Sequence, residues 1–254
     1  MSGVVGGVAA ESDPLLSQLS VLHRFRIYLD IGVVVAVLAA TNLIAHFTTP
    51  WAGAATVPAV AVGLMILLRA NGVGWAELGL GREHWKSGVA YALAAVTVAA
   101  AVIAAGAVLP LTRPMFMNNH YATISGALLA AVIVIPLQTA IPEELVFRGV
   151  LHGALSRAWG FRGAAVAGSL LFGLWHIAAS LSLTGSNVGF TRLFGGGVVG
   201  MLIGVTLAVL ATGTAGFVLS WLRRRSGSLI APIALHWSLN GMGALAAALA
   251  WQLS

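Results

Sequence analysis

The chain has 254 residues, of which 59% are hydrophobic and only 8% charged, with a formal net charge of +6 and no cysteine. An ordinary soluble domain carries roughly 25% charged residues, and a fold of this length could not hide so much apolar surface from water. The lack of cysteine excludes a disulfide framework, a cysteine protease and a thiolate metal site. The basic balance reads as loop arginines that orient a membrane protein, and no nucleic-acid partner is expected.

Residues 1–20 are small and polar, without a positive charge ahead of an apolar run. They are unlike a cleavable signal peptide, so 1–27 is expected to be a cytoplasmic N-terminal segment and the first span an uncleaved anchor. Apolar spans follow near 28–47, 52–68, 87–109, 123–141, 163–181, 197–221 and 228–251. A spanning helix needs about 20 such residues. The runs are continuous rather than alternating in ~10-residue segments, which predicts an all-α bundle and not a barrel. The stretch 142–159 extends the fourth span or forms a further embedded helix, so seven to eight transmembrane helices are expected. No linker divides the chain. One membrane domain is expected, with helices of unknown role over 28–122 and the chemistry-bearing helices over 123–254. Pro136 and Pro142 are expected to kink the fourth span. Gly196, Gly200 and Gly204 form a small-residue ridge suited to close helix packing.

The arginines set the orientation. With the N-terminus inside, the cytoplasmic segments hold Arg24, Arg26, Arg69, Arg82, Lys86, Arg148, Arg157, Arg162, Arg223, Arg224 and Arg225, and only Arg113 and Arg192 fall outside. That asymmetry follows the positive-inside rule and predicts a protein of the plasma membrane. The arginine-rich composition, with much Ala, Gly and Val, is associated with a bacterial source.

Beyond Glu83 the only acids are the adjacent Glu143 and Glu144, at the end of an apolar run. An ionisable group inside a membrane costs about 2.5–3.5 kcal/mol for Asp at a helix centre. Solvation at a helix end is the bland explanation. The local pattern argues for more: Glu144 and Arg148 are four apart and can pair on one helix face, which leaves Glu143 free beside a paired carboxylate. That is the profile of a general base. His176 is the next polar group in an apolar helix. If the chain turns near Gly160, Glu143 and His176 lie at almost the same depth, roughly 24–25 Å from the turn at the helical rise. The last span adds His236 and Asn240, whose spacing of four puts both on one face.

A carboxylate, two imidazoles and an amide therefore come from three spans. Glu143, alone or with His176, can take a proton from water, and His236 and Asn240 can donate to a developing oxyanion. Glu143, His176 and His236 are also the donor types for a divalent metal such as zinc. The two alternatives stay open, and the His-Glu-x-x-His pattern of soluble zinc proteases is absent.

These three motifs are Glu143-Glu144 with Arg148, Phe172 with His176, and His236 with Asn240, in that order over about residues 123–245. They resemble the CAAX protease and bacteriocin-processing (CPBP, or Abi) family of intramembrane proteases, which includes the type 2 CAAX prenyl endopeptidases. The resemblance implies that Glu143 and His176 activate water, that His236 and Asn240 form the oxyanion hole, and that Glu144 and Arg148 support them. The family is often labelled metalloprotease. Its bacterial members are linked to bacteriocin maturation and self-immunity. The implied substrate is a membrane-tethered protein or peptide, cleaved near the cytoplasmic face, that need not be prenylated.

Two other readings use the same residues. A transporter or channel with a Glu/His proton relay predicts polar groups along a path through both membrane halves, whereas here they are expected only on the cytoplasmic side. A non-catalytic immunity or binding protein has no need of the intact Glu and His set.

Overall fold

The computed structural model describes residues 14–254; the N-terminal residues 1–13, where no cleavable leader is expected, lie outside the described residues. The chain runs through α1 (Pro14–Phe47), α2 (Pro50–Ala70), α3 (Trp85–Val108) and a long helical run, α4 (Ile124–Trp175). Three short helices follow, α5 (Ile177–Ser180), α6 (Leu183–Ser186) and α7 (Val188–Phe194), then α8 (Gly197–Ser226) and α9 (Ile230–Gln252). The only β pairing among the described residues is an isolated bridge between Asn118 and Asn187. Six helices, α1 to α4, α8 and α9, are long and apolar enough to cross a membrane. The chain is a polytopic helical membrane protein.

The six runs agree with the expected seven to eight spans, because two expected spans and the stretch between them share the 52-residue run of α4. That run is not straight. Gly160 has φ 65° and ψ −176°, a conformation essentially confined to glycine, and the chain reverses there. The arms 124–159 and 161–175 lie against each other: the rings of Phe147 and Phe172 meet edge to face at 5.0 Å, and those of His152 and Phe161 at 5.8 Å.

The expected kinks at the prolines take another form. Segments Ala130–Ala140 and Leu145–Leu151 of α4, and Ser238–Met242 of α9, are wound as π-helix. Pro136 has no N–H for an α-helical bond, and it sits inside the first wide turn. Such turns are frequent at functional sites. Here they flank Glu143 and Glu144 and contain Asn240.

Small residues bring α8 onto the second arm of α4. A Cβ added at Gly173 would stand 2.8 Å from the Val209 carbonyl oxygen, and one at Gly216 3.1 Å from the Ser169 Cα. The expected glycine ridge has a different neighbour: Gly204 faces Thr184 of α6, and Gly200 the turn at Gly195. A core of Ile31, Leu38, Ala61, Leu151, Leu155 and Leu219 joins α1, α2, α4 and α8. Outward faces stay apolar, as with Leu93, Val98 and Val102 on α3 and Val198, Val199 and Leu202 on α8. A continuous apolar surface of this kind suits lipid rather than water.

The two ends of the bundle differ. At one, Tyr28 packs on Trp159 at 6.3 Å, the Arg224 guanidinium lies 4.1 Å over Phe161, and Arg223 donates to the Glu77 carbonyl at 3.0 Å. The Leu229 N–H donates to the Gly79 carbonyl at 2.8 Å. At the other end Arg113 donates to the Leu253 carbonyl at 2.7 Å, Trp251 to that of Asn118 at 3.2 Å, and Asn187 to that of Met115 at 2.8 Å.

Candidate active site

The reversal at Gly160 carries Glu143 and His176 to one level, and α9 brings His236 beside them. The Glu143 carboxylate is buried. Its Oε1 accepts a hydrogen bond from Trp175 Nε1–H at 3.1 Å. Its Oε2 is buried without a hydrogen-bond partner, with the Nε2 atoms of His176 at 4.0 Å and His236 at 3.9 Å. A buried charged oxygen left unpaired is costly, so this atom is suited to a ligand or a reacting group.

Glu144 is fully enclosed and has two partners. Its Oε1 accepts from Arg148 Nη1 at 2.8 Å and meets His236 Nδ1 at 2.8 Å. Arg148 also donates to the Gly216 carbonyl at 3.2 Å and stacks its guanidinium 4.0 Å over the Phe172 ring. Two adjacent carboxylates thus have different surroundings. Each keeps one buried oxygen without a hydrogen-bond partner, but Glu144 is tied through its other oxygen to a guanidinium, whereas the unpartnered oxygen of Glu143 faces two imidazoles.

Hydrogen bonding assigns the ring protons. His176 Nδ1 lies 2.8 Å from the Phe172 carbonyl, which only accepts, so Nδ1 carries a proton and neutral His176 presents a lone pair at Nε2. His236 Nδ1 faces a carboxylate oxygen and is likewise the donor.

A cavity of about 630 Å³ stands over this group. Glu143, Trp175, His176 and Asn240 line it, with Gln138 and Thr139 from α4. His236 does not: it is buried behind Glu143, turned to Glu144 and edge-on to Phe172 at 5.7 Å. So His236 and Asn240, one turn apart, differ in access. The remaining wall comes from Ala45, His46 and Gly53 at the α1–α2 junction, from Asn118 and Tyr121, from Asn187, and from Ala247 of α9. Burial raises the Tyr121 phenol above its ordinary range, so it stays a donor at neutral pH.

Every one of those wall elements belongs to the end away from the clustered arginines.

Metal ligation was tested against the same atoms. A tetrahedral zinc with legs of about 2.0–2.1 Å needs donors roughly 3.3–3.4 Å apart, while Glu143 stands 3.9–4.0 Å from the two imidazoles. Among the described residues no three His, Asp or Glu groups are placed to hold a metal ion. The donor types suit zinc, but their placement does not.

Sequence reasoning missed Trp175, although it neighbours His176, and it missed the contribution of α1. Asn42 of α1 donates to the Trp175 carbonyl at 2.9 Å, so the first helix holds the residue that holds Glu143. His152, read as structural, packs on Phe161 away from the cavity.

No curated protein and no solved structure matched the chain. Residues 124–242 matched the family model described as Type II CAAX prenyl endopeptidase Rce1-like. This stretch spans both arms of α4 and the π-turn of α9, and with them Glu143, His176, His236 and Asn240. Over that stretch, just under half of the chain, the sequence is similar to the Rce1-like type II CAAX prenyl endopeptidase family.

Proposed function

We propose that this protein is an intramembrane endopeptidase that hydrolyses membrane-associated proteins or peptides with water activated by Glu143 and His176. The observation that carries the reading is the free Oε2 of Glu143, buried at the base of a large cavity and faced by two imidazole nitrogens. Atoms 3.9–4.0 Å apart are too far apart for direct hydrogen bonds, and a water admitted between them would lie within about 2.8 Å of each, the normal reach of an O–H···O bond.

Glu143 takes a proton from that water, oriented by His176 Nε2, as the oxygen attacks a peptide carbonyl in the cavity. The carbonyl oxygen gains negative charge. Asn240 donates its amide N–H to it, while His236 stays behind Glu143 and braces the carboxylate. Protonated Glu143 then gives its proton to the leaving amine, which yields one carboxylate and one amine from peptide and water. Trp175 is a positioning residue that turns Oε2 toward the imidazoles. Glu144 and Arg148 are positioning residues that hold His236.

The test uses the reconstituted protein with a peptide library in ¹⁸O-labelled water. Peptide cleavage with ¹⁸O in each new C-terminus, lost in Glu143→Gln, supports the reading. Cleavage by the purified variant at the wild-type rate overturns it.

A further inference from the structure

We infer that the cavity opens on the non-cytoplasmic side of the membrane, so that the enzyme takes peptide segments displayed there next to a membrane anchor. The substrate class rests on the protease reading above; the orientation does not.

The argument joins two observations. The first is the position of charge. Arg24, Arg69, Arg82, Arg157, Arg162 and Arg223–Arg225 all belong to the end where Tyr28 meets Trp159 and Leu229 meets Gly79. Arg69 and Arg82 sit over Trp75 and Trp85 there, at 4.5 and 5.7 Å. Such indoles, exposed at helix ends, favour the membrane interface. The opposite end carries only Arg113 and Arg192, and Arg113 is tied down to the carbonyls of Leu253 and Val108, both at 2.7 Å. Short loops rich in arginine stay in the cytoplasm, which puts the first end inside.

The second observation is the direction of the cavity. From Glu143 it runs past Asn240 to Ala247 along α9, a rise of roughly 10 Å from Asn240 at the helical spacing. It ends among the α1–α2 junction, Asn118, Tyr121 and Asn187. None of its wall comes from 69–86, 157–162 or 223–230, and beneath Glu143 the path is filled by Glu144, Arg148, Leu151 and Leu155, all buried. A substrate therefore reaches Glu143 from the end that lacks the arginine cluster. Apart from Glu143 the lining holds no acid, lysine or arginine, and the rim carries the polar side chains of His46, Asn118, Tyr121 and Asn187. These suit the backbone of an extended peptide leaving the lipid rather than a strongly charged tail.

The chain has no cysteine, so single cysteines report topology without background. Asn119 and Ser254 are exposed at the cavity end, and Asn71 is exposed at the arginine end. Asn119→Cys, Ser254→Cys and Asn71→Cys are expressed in a bacterial host and treated as spheroplasts with a membrane-impermeant maleimide. The expected result is labelling of the first two in intact spheroplasts and of Asn71→Cys only after lysis. Ser254→Cys reports the same end if Asn119→Cys fails to fold. Labelling of Asn71→Cys in intact spheroplasts, alone or with the others, overturns the inference. Labelling reads orientation alone and the ¹⁸O cleavage assay reads hydrolysis alone, so the orientation can hold while the protease reading fails, and the reverse.

Discussion

Glu143 and His176 sit on opposite arms of one helical hairpin, and the carboxylate Oε2 faces the imidazole Nε2 at 4.0 Å. A glycine far from either makes this possible. Gly160 turns the chain back almost midway between them, and the Phe147–Phe172 and Phe147–Trp175 contacts, at 5.0 and 5.6 Å, lock the arms in register.

Gly160→Ala should therefore destabilise the protein, although no atom lies within 4 Å of an added Cβ. The cost is conformational, about 1–3 kcal/mol for a non-glycine residue held in that region. Gly153→Ala also has nothing within 4 Å but has ordinary helical geometry, and it should be neutral or slightly stabilising. Thermal unfolding of both variants in the same detergent checks the contrast.

Asn240→Ala removes the amide donor that lines the cavity while leaving the buried Glu144 network in place. Loss of one oxyanion donor lowers kcat by about 10²–10³, and KM should change little because the contact strengthens only in the transition state. Steady-state kinetics on a cleaved peptide distinguish this from a binding defect, which would raise KM at constant kcat.

Trp175→Phe keeps a ring against Phe147 and removes only the Nε1–H that fixes Glu143. A hydrogen bond to a charged group is worth about 1.5–3 kcal/mol, so kcat should fall by roughly 10–100-fold, with a melting temperature close to wild type. A large loss of stability with unchanged specific activity would mean that Trp175 only packs.

Arg148→Ala should act the other way. It leaves Glu144 charged and enclosed with a single remaining partner, and breaking a buried pair in this manner costs about 3–5 kcal/mol. The variant should unfold at markedly lower temperature or fail to accumulate, whereas Glu143→Gln should accumulate normally. Immunoblots of membranes followed by unfolding of the purified proteins make the comparison.

Because Glu143 and the two imidazoles are set wider than a tetrahedral zinc allows, cleavage should persist in a strong chelator. Assays before and after dialysis against the chelator, with metal content measured in parallel, test this. Activity that disappears with the metal and returns on adding zinc contradicts the placement described here.

Much of the membrane bundle was legible because lipid imposes a coarse demand that composition meets openly: long apolar runs with arginines gathered between them. The Glu144–Arg148 pair was legible for a local reason, since four residues make one helical turn. The hairpin was legible because a glycine lay midway between two polar groups. What stayed hidden depends on tertiary approach. Asn42 and Trp175 meet across helices far apart in sequence, and no periodicity announces them. The π-turns around Glu143 and at Asn240 leave no mark in the hydrophobic pattern beyond Pro136. The direction of the cavity was not legible, because helical rise gives depth along each span but not the side on which neighbouring helices part. That parting is set by His46, Asn118 and Asn187, which belong to no motif.

The most direct measurement is terminal peptidomics of membranes from cells that express wild type or Glu143→Gln at matched levels. The glutamine keeps the shape and the Trp175 contact and removes the base, which should slow the reaction by about 10²–10⁴. The account predicts new peptide termini, close to membrane anchors, that appear with wild type and vanish with the variant. Identical sets of new termini from both proteins would contradict it, because cleavage would then proceed without Glu143.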